Sequence, residues 1–356
     1  MSMYSRIEEY IQMALVDNNY ACCHWAGNGP IAELETKLCT MYGAKHGLCV
    51  DSATNGLLYL ILASGLKRSE IITTPLSYAG TIAGALNMGC TFSFADIDRS
   101  LNIDPESVLM LLKKRNKTKA VISVDYGGNP HQMEEIHTIC EEYGLFHFVD
   151  AAQSMGANYN LTNVATYNDA LVVSFGSGKT VFSGGEGGAI ITDNTMLYNR
   201  LVSICQHPHR QERDLGIGQS HGFALNGRMH PIAALLACEN LDSGILATQK
   251  KKRLYLQALS VLSSFNSVSS TLKQDNSTFY HCPFIVENPQ LFDMEFSTSE
   301  LKTNFYYSKA MFSSLSQQLE RIGMKKRIKT SYCPFLEMII DKLFLLHIKP
   351  SNNEQI

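Results

Sequence analysis

The segments Val149-Asp150-Ala151-Ala152-Gln153 and Ser174-Phe175-Gly176-Ser177-Gly178-Lys179 decide how this chain is interpreted. Each begins at the end of a short apolar run, and the glycine-rich Ser183-Gly184-Gly185-Glu186-Gly187-Gly188 follows the second. If the apolar runs are neighbouring strands, Asp150 and Lys179 lie at one edge of a sheet. Pyridoxal phosphate (PLP) needs such a pair, because a lysine amine forms the Schiff base and a carboxylate keeps the pyridine nitrogen protonated.

Lys179 has two other interpretations. The segment Gly176–Thr180 after Leu171–Val173 resembles a phosphate-binding P-loop, but that motif requires glycine where this chain has Val173. The P-loop also requires a helix next, and Val181–Gly185 is a poor start for a helix. The second alternative is a surface lysine in a glycine loop, which these residues alone leave open.

The composition excludes several classes of protein. The chain has 356 residues, so one large or two ordinary domains are expected. Hydrophobic residues make up 45% of it, which is enough for a large core. With 30 Lys and Arg against 33 Asp and Glu, no basic block indicates a nucleic acid as partner. No apolar run is long enough to span a membrane, and no signal-peptide pattern begins the sequence. The ten cysteines are scattered without a Cys-x-x-Cys pair, which is typical of reduced thiols and predicts a cytoplasmic protein.

From about residue 46 the chain alternates short apolar runs with helical patterns. Strands are predicted at 47–50, 71–73, 91–95, 120–124, 146–149 and 171–173, and helices at 55–64, 79–88, 105–114, 131–143 and 194–205. This alternation predicts an α/β fold, in which a three-layer αβα large domain surrounds a mostly parallel sheet. We place this large PLP-binding domain at residues 1–240.

The remaining residues, 241–356, are predicted to form a smaller α+β domain. A long helix, clearest over 231–250 and extended to about 264, is the predicted link. From about residue 255 the chain becomes Ser-rich and irregular, and apolar runs at 280–286 and 343–348 predict strands.

Polar residues collect where the predicted strands end. The five that do so are Ser52, Tyr78, Tyr126, Asp150 and Ser174. In open α/β sheets this edge is where ligands bind. Five such residues at one edge favour an active site over a surface lysine.

The ordered motifs resemble a known family, the PLP-dependent sugar aminotransferases called DegT/DnrJ/EryC1/StrS, which have the fold-type I, aspartate-aminotransferase-like architecture. The resemblance extends from about Gly27 to Asp242. It includes Asp150–Gln153, Ser174–Lys179 and Gly185–Gly188, together with Gly27–Pro30, Ser52–Leu57, Pro75–Tyr78, Asp96–Asp98 and Asn226–Met229.

The resemblance implies a role for each matching residue on the ring side of PLP. Lys179 would form the Schiff base and then carry the proton between the amino acid and the cofactor. Asp150 would pair with the pyridinium nitrogen, and Gln153 would reach the 3′-oxygen of the ring. Tyr78 would stack on the ring, although a core aromatic is the alternative.

The phosphate side is implied in the same way. Ala53 and Thr54 would bind the phosphate where a helix begins, although an ordinary N-cap fits these residues equally well. Ser174 would also donate to the phosphate. Asn226 would reach the phosphate in the other subunit, so the resemblance implies a homodimer with shared active sites; a turn residue is the alternative for Asn226.

The implied reaction is the transfer of an amino group from an amino acid, with glutamate as the expected donor, to a keto-sugar that we expect to be nucleotide-linked. The alternatives are a PLP-dependent sugar dehydratase, in which histidine replaces the Schiff-base lysine, and a non-catalytic sugar-binding relative. Lys179 favours transamination. The chain departs from the family pattern at Ala53, Asp125, Gly176-Ser177 and Gly227, which leaves the substrate open.

Weaker signals lie outside these motifs. His207-Pro208-His209-Arg210 could indicate a metal or a substrate-facing loop, but no acidic or cysteine cluster supports a metal, and none is predicted. Arg210 and Arg228 are candidate anion contacts. His281 is interpreted as a core histidine, and Trp25 as a packing residue.

Overall fold

The computed structural model describes residues 3–15, 23–114, 117–160, 163–271, 276–310 and 313–349. The helices are α1 (Met3–Leu15), α2 (Pro30–Tyr42), α3 (Ala53–Ala63), α4 (Gly80–Asn87), α5 (Pro105–Lys114), α6 (Met133–Tyr143), α7 (Thr195–Cys205), α8 (Pro208–Leu215), α9 (Pro231–Leu262), α10 (Pro289–Thr298), α11 (Leu301–Asn304), α12 (Leu315–Arg321) and α13 (Pro334–Ile339). The strands are β1 (His46–Val50), β2 (Glu70–Thr73), β3 (Thr91–Phe94), β4 (Thr118–Val124), β5 (Phe146–Asp150), β6 (Ala170–Ser174), β7 (Gly188–Thr192), β8 (Val268–Thr271), β9 (Cys282–Val286), β10 (Phe305–Lys309), β11 (Ile328–Thr330) and β12 (Leu343–Ile348). The bounds predicted between residues 46 and 150 agree with these within two residues.

The larger sheet has eight strands in the order β1-β7-β6-β5-β4-β2-β3-β11. Only β7 runs against its neighbours, and the pairs from β6 to β11 are all parallel. In this register Asp150, the last residue of β5, stands between Val124 and Val172. The predicted mostly parallel sheet is therefore confirmed.

Helices cover both faces of this sheet because its strands are apolar on both sides. Along β5, Phe148 belongs to one hydrophobic cluster and Val149 to another; along β6, Val172 and Val173 divide in the same way. Successive side chains of a strand point to opposite faces, so each cluster is the core of one face. The result is the predicted three-layer αβα arrangement.

The smaller sheet is antiparallel, with the order β10-β12-β9-β8. The long helix α9 contributes to two cores: Ala234 and Leu241 pack under the large sheet, and Tyr255 and Leu262 pack against the small one. The predicted extension of the long helix to about residue 264 agrees with α9, which ends at Leu262, so the chain is still helical at residue 255, where the sequence predicts an irregular stretch. Its apolar residues there recur at helical spacing.

The C-terminal part of the chain also contributes to the large sheet, because its strand β11 pairs with β3. The predicted boundary between residues 240 and 241 stays a prediction. What the structure describes is one long helix, α9, that packs against both parts.

A buried ion pair connects α2 with α8. Arg210 is 1% exposed, and its Nη1 and Nη2 each donate to a carboxylate oxygen of Glu35 at 2.9 Å. Its Nε donates to Asp214 at 3.1 Å, and Glu35 also accepts from the Cys49 amide at 2.7 Å. The interpretation of Arg210 as an anion contact for a ligand is therefore wrong, because carboxylates of the chain itself occupy its guanidinium.

Replacing Arg210 tests this ion pair. Arg210→Met should lower the free energy of unfolding by about 3–5 kcal/mol, because it leaves the Glu35 carboxylate buried without its partner. The matched control Arg213→Met, on the same helix but 41% exposed, should cost less than about 1 kcal/mol. Urea unfolding of both variants measures the difference. Equal losses in the two variants would contradict a structural role for Arg210.

Candidate active site

A cavity of about 710 Å³, here called the Lys179 cavity, lies at the carboxyl ends of the parallel strands. Its walls come from the segments that follow β1, β2, β4, β5 and β6. All the predicted site residues except Asn226 line it, namely Ala53, Thr54, Tyr78, Asp150, Gln153, Ser174 and Lys179. Residues from five strand ends thus meet at one site, as the parallel arrangement requires.

The Asp150 carboxylate is fixed by its own neighbours. It is 8% exposed; Thr81 Oγ1 donates to its Oδ2 at 2.7 Å, and the Ala152 amide donates to its Oδ1 at 3.1 Å. Burial raises the pKa of Asp150, while these two hydrogen bonds and the Lys179 charge act in the opposite direction. A cation placed against this carboxylate inside the cavity would offset the cost of its burial.

The Lys179 amine lies in the same cavity. The backbone reaches it through a turn in which the Lys179 amide donates to the Gly176 carbonyl at 3.2 Å, and Gly178 has a φ of 79°. Lys179 Nζ stands 4.7 Å from the centre of the Tyr280 ring. A cation at that distance from an aromatic face is attracted to it. Lys179 is therefore a cavity residue rather than an isolated surface lysine.

The P-loop interpretation of this segment is wrong. No helix follows Lys179; the chain passes through a glycine-rich loop directly into β7. This loop is close-packed, since a Cβ on Gly188 would lie 2.6 Å from the Ala53 amide nitrogen. Glycine at position 188 thus lets β7 pass next to the start of α3.

The start of α3 lines the same cavity and is a candidate anion site. Ser52 is the N-cap, and its Oγ accepts from the Asn55 amide at 3.2 Å. The N-cap alternative therefore holds for Ser52, while Ala53 and Thr54 form the first turn and line the cavity. Amides at a helix N-terminus attract anions such as phosphate.

Two further predicted residues stand on different walls. Gln153 Oε1 accepts from the Gly127 amide at 2.8 Å, which fixes its side chain beside the cavity. Tyr78 is 77% exposed, so the alternative of a core aromatic is wrong. Its stacking on a ring stays a prediction.

Sequence reasoning did not assign several residues of the cavity to the site, among them Thr81, Tyr280 and His281. Thr81 holds Asp150, and Tyr280 and His281 enter from the segment before β9. The interpretation of His281 as a core residue is wrong, because it is half-buried and lines the cavity. Burial, together with the charges of Lys251, His347 and Lys179, lowers the pKa of His281 to about 4.

The remaining candidates lie outside the cavity. Asn226 is exposed, and its Oδ1 accepts from Arg228 Nε at 2.8 Å. Trp25 stacks on His207 with 4.8 Å between ring centres, and the His207 side chain caps α8. In the described ranges, no group of three or more His, Cys, Asp or Glu side chains could hold a metal ion.

The burial of Asp150 predicts a pH dependence in the cofactor-free protein. Because the folded state has the raised pKa, it holds this proton more tightly than the unfolded chain, so the carboxyl lowers stability as pH rises through the folded pKa. The free energy of unfolding of Asp150→Asn, relative to the wild type, should therefore increase from about pH 4 to about pH 7. Urea unfolding at both pH values measures it. A relative stability that decreases over this range would contradict the raised pKa.

Comparison with known proteins places the chain in a family. The match to the Helicobacter pylori UDP-4-amino-4,6-dideoxy-N-acetyl-beta-L-altrosamine transaminase has 31% identity and covers 62% of this chain and 59% of that protein. The match to the Bacillus subtilis spore coat polysaccharide biosynthesis protein SpsC has 33% identity and covers 51% and 47%. These matches thus span about half of each curated relative's length.

The solved structures agree over more of the chain. A DegT DnrJ EryC1 StrS aminotransferase from Brucella abortus has a TM-score of 0.78 at 20% identity, covering 99% of this chain and 94% of that one. Helicobacter pylori PseC has a TM-score of 0.75 at 23% identity, covering 92% and 89%. Both have the fold described above.

No helix in the described residues combines the length and the apolar character needed to cross a membrane. Because residues 15–355 match its sequence profile, the chain belongs to the DegT/DnrJ/EryC1/StrS aminotransferase family.

Proposed function

We propose that this protein is a PLP-dependent aminotransferase that moves an amino group from glutamate to a nucleotide-linked keto-sugar. The observation that carries the proposal is the amine of Lys179 and the buried carboxylate of Asp150 in one cavity, in a chain of this family. Relatives in Helicobacter pylori and Campylobacter jejuni are transaminases of a UDP-linked amino-sugar, which supports the choice of substrate class.

The residues present fit the cofactor. Asp150 offers a buried carboxylate that lacks a full positive partner, and a protonated pyridine nitrogen would supply one. The first turn of α3, with Ala53 and Thr54, would hold the phosphate, and Ser174 would add a hydroxyl donor. When bound, PLP supplies an electron sink for the carbon that loses its proton.

Lys179 would act twice, first by holding the cofactor covalently and then by moving a proton. Its Nζ must be neutral to accept the proton of the amino acid's α-carbon. The Tyr280 ring, 4.7 Å from Nζ, would keep the amine in the cavity while it is protonated. Asp150, kept in place by Thr81, would hold the pyridine nitrogen in its protonated form.

The dehydratase alternative shares the fold but not the lysine. The structure of a GDP-4-keto-6-deoxy-D-mannose-3-dehydratase from E. coli has a TM-score of 0.76 with this chain at 20% identity. The fold therefore does not separate the two reactions, whereas Lys179 favours transamination, since it can return to its covalent link after each cycle.

The proposal includes a homodimer with shared active sites in the cytoplasm. The segment between α8 and α9 exposes Ile217 and Phe223 almost completely, at 97% and 95%. Large apolar side chains exposed in one short segment would be covered at an interface between subunits. Asn226 lies in the same segment and outside its own cavity, so it would serve the partner's phosphate site. The nine cysteines in the described ranges are all free thiols, which supports a reducing compartment.

The half-reactions should be separable. With PLP-loaded protein and glutamate but no sugar, we expect release of 2-oxoglutarate in an amount equal to the enzyme sites, because the amino group stays on the cofactor. Lys179→Ala should abolish this release, while the exposed control Lys119→Ala should keep it. A coupled assay of 2-oxoglutarate measures the burst.

Three outcomes of that assay separate the candidate functions. Release with the control and not with Lys179→Ala supports transamination. No release with glutamate or glutamine, together with loss of water from a keto-sugar, identifies a dehydratase. Tight binding of a sugar nucleotide with neither reaction identifies a non-catalytic relative.

Complementation tests the shared sites. Lys179→Ala and Asn226→Ala proteins, each impaired alone, should regain activity when mixed, because a heterodimer has one site with both changes and one with neither. Random exchange would restore about a quarter of the sites. The control is the doubly substituted protein, Lys179→Ala with Asn226→Ala in one chain, whose homodimer has no intact site and should stay inactive. No gain of activity after subunit exchange has been verified would argue for self-contained sites.

A further inference from the structure

A second pocket adjoins the Lys179 cavity on the side of the small sheet. This Lys251 pocket has a volume of about 460 Å³, and Tyr280 and His281 line both it and the Lys179 cavity. Its other walls come from α9, β10 and β12. Its polar lining side chains are Lys251, Tyr255, Tyr280, His281, Tyr306 and His347.

The pocket is basic. One lysine and two histidines line it, and its lining includes no Asp or Glu. Lys251 Nζ lies 5.5 Å from the centre of the Tyr255 ring, so its ammonium faces an aromatic ring. His347 Nε2 pairs with Ser308 Oγ at 2.9 Å, and its ring stacks on Tyr306 with 4.8 Å between centres.

Among the described residues, no carboxylate lines this pocket to offset the positive charge of Lys251. Burial lowers the pKa of Lys251, and burial followed by the Lys251 charge lowers the pKa of His347. His281, with a pKa of about 4, is neutral near pH 7, so Lys251 supplies the positive charge and the imidazoles supply hydrogen bonds. An anion would favour the charged form of all three side chains and offset their desolvation.

The two cavities share two lining residues, Tyr280 and His281. The Tyr280 ring centre is 4.7 Å from Lys179 Nζ and 4.7 Å from the His281 ring centre. The Lys251 pocket therefore lies next to the Lys179 cavity, on the other side of a wall that Tyr280 and His281 contribute to. Tyr306, 45% exposed, lines the Lys251 pocket.

We propose that the Lys251 pocket binds an oxyanion, namely a phosphate or carboxylate group of a substrate whose reacting end lies at Lys179. The identity of that substrate rests on the proposed function. Both proposed substrates carry such a group: the nucleotide-linked sugar has a diphosphate, and glutamate has a side-chain carboxylate. Lys251 and His347 are the residues that would contact it.

Binding of two unreactive probes tests the subsite and identifies its source. Isothermal titration of PLP-loaded protein with inorganic pyrophosphate represents the sugar nucleotide, and titration with glutarate represents the amino donor. Lys251→Gln should weaken binding of one probe by about tenfold or more, since it removes a hydrogen bond to a charged group. The control is Arg253→Gln, an exposed cation two residues along α9, which should leave both affinities unchanged. Weaker binding of pyrophosphate assigns the pocket to the diphosphate, and weaker binding of glutarate assigns it to the donor.

A second, more conservative variant distinguishes a loss of binding from a loss of folding. His347→Gln keeps a hydrogen-bonding side chain at a half-buried position and should weaken the same probe, by less than Lys251→Gln. Unchanged affinities in both folded variants, or no binding of either probe by the wild type, would overturn the subsite.

The probe titrations are independent of turnover. If the wild type binds pyrophosphate or glutarate through Lys251 but releases no 2-oxoglutarate, the subsite stands and the proposed function fails. If it transaminates while Lys251→Gln binds both probes normally, the proposed function stands and the subsite is overturned.

Discussion

The burial of the Asp150 carboxylate at the end of β5 is the constraint on which the rest of the site depends. An ionised group in the middle of a sheet edge is stable only with hydrogen bonds and a nearby positive charge. Thr81 and the Ala152 amide give the hydrogen bonds, and Lys179 gives charge from across the cavity. A bound cation would supply the remaining charge, and we propose that a protonated pyridine nitrogen does so. The cofactor and the fold are thus linked through one carboxylate.

The parallel strands bring other polar residues to the same sheet edge as Asp150. Because β4, β5 and β6 run in the same direction, Tyr126, Asp150 and Ser174 end at one edge. The periodicity of short apolar runs and helices is a local property, so the sequence predicted this sheet and its edge well. The family resemblance, carried by the motifs around Asp150 and Lys179, is confirmed by the match over residues 15–355.

The features that the sequence did not reveal depend on contacts between distant parts of the chain. Arg210 looked available for a ligand, but its partner Glu35 is 175 residues away. His281 looked like part of an apolar strand, yet β9 begins one residue later and leaves it at the cavity wall. The strand β11 joins the large sheet beside β3, although more than two hundred residues separate them in the chain. No local pattern encodes such pairings, since each depends on which surfaces the completed fold brings together.

The central claim is that the Lys179 amine holds the cofactor in the cavity that Asp150 also lines. Borohydride reduction of the PLP-loaded protein, followed by mass spectrometry of its peptides, tests it most directly. The account predicts a single phosphopyridoxyl label on the peptide that contains Lys179, and no label at this site in Lys179→Ala. A label on another lysine, or no label with PLP in excess, would contradict it.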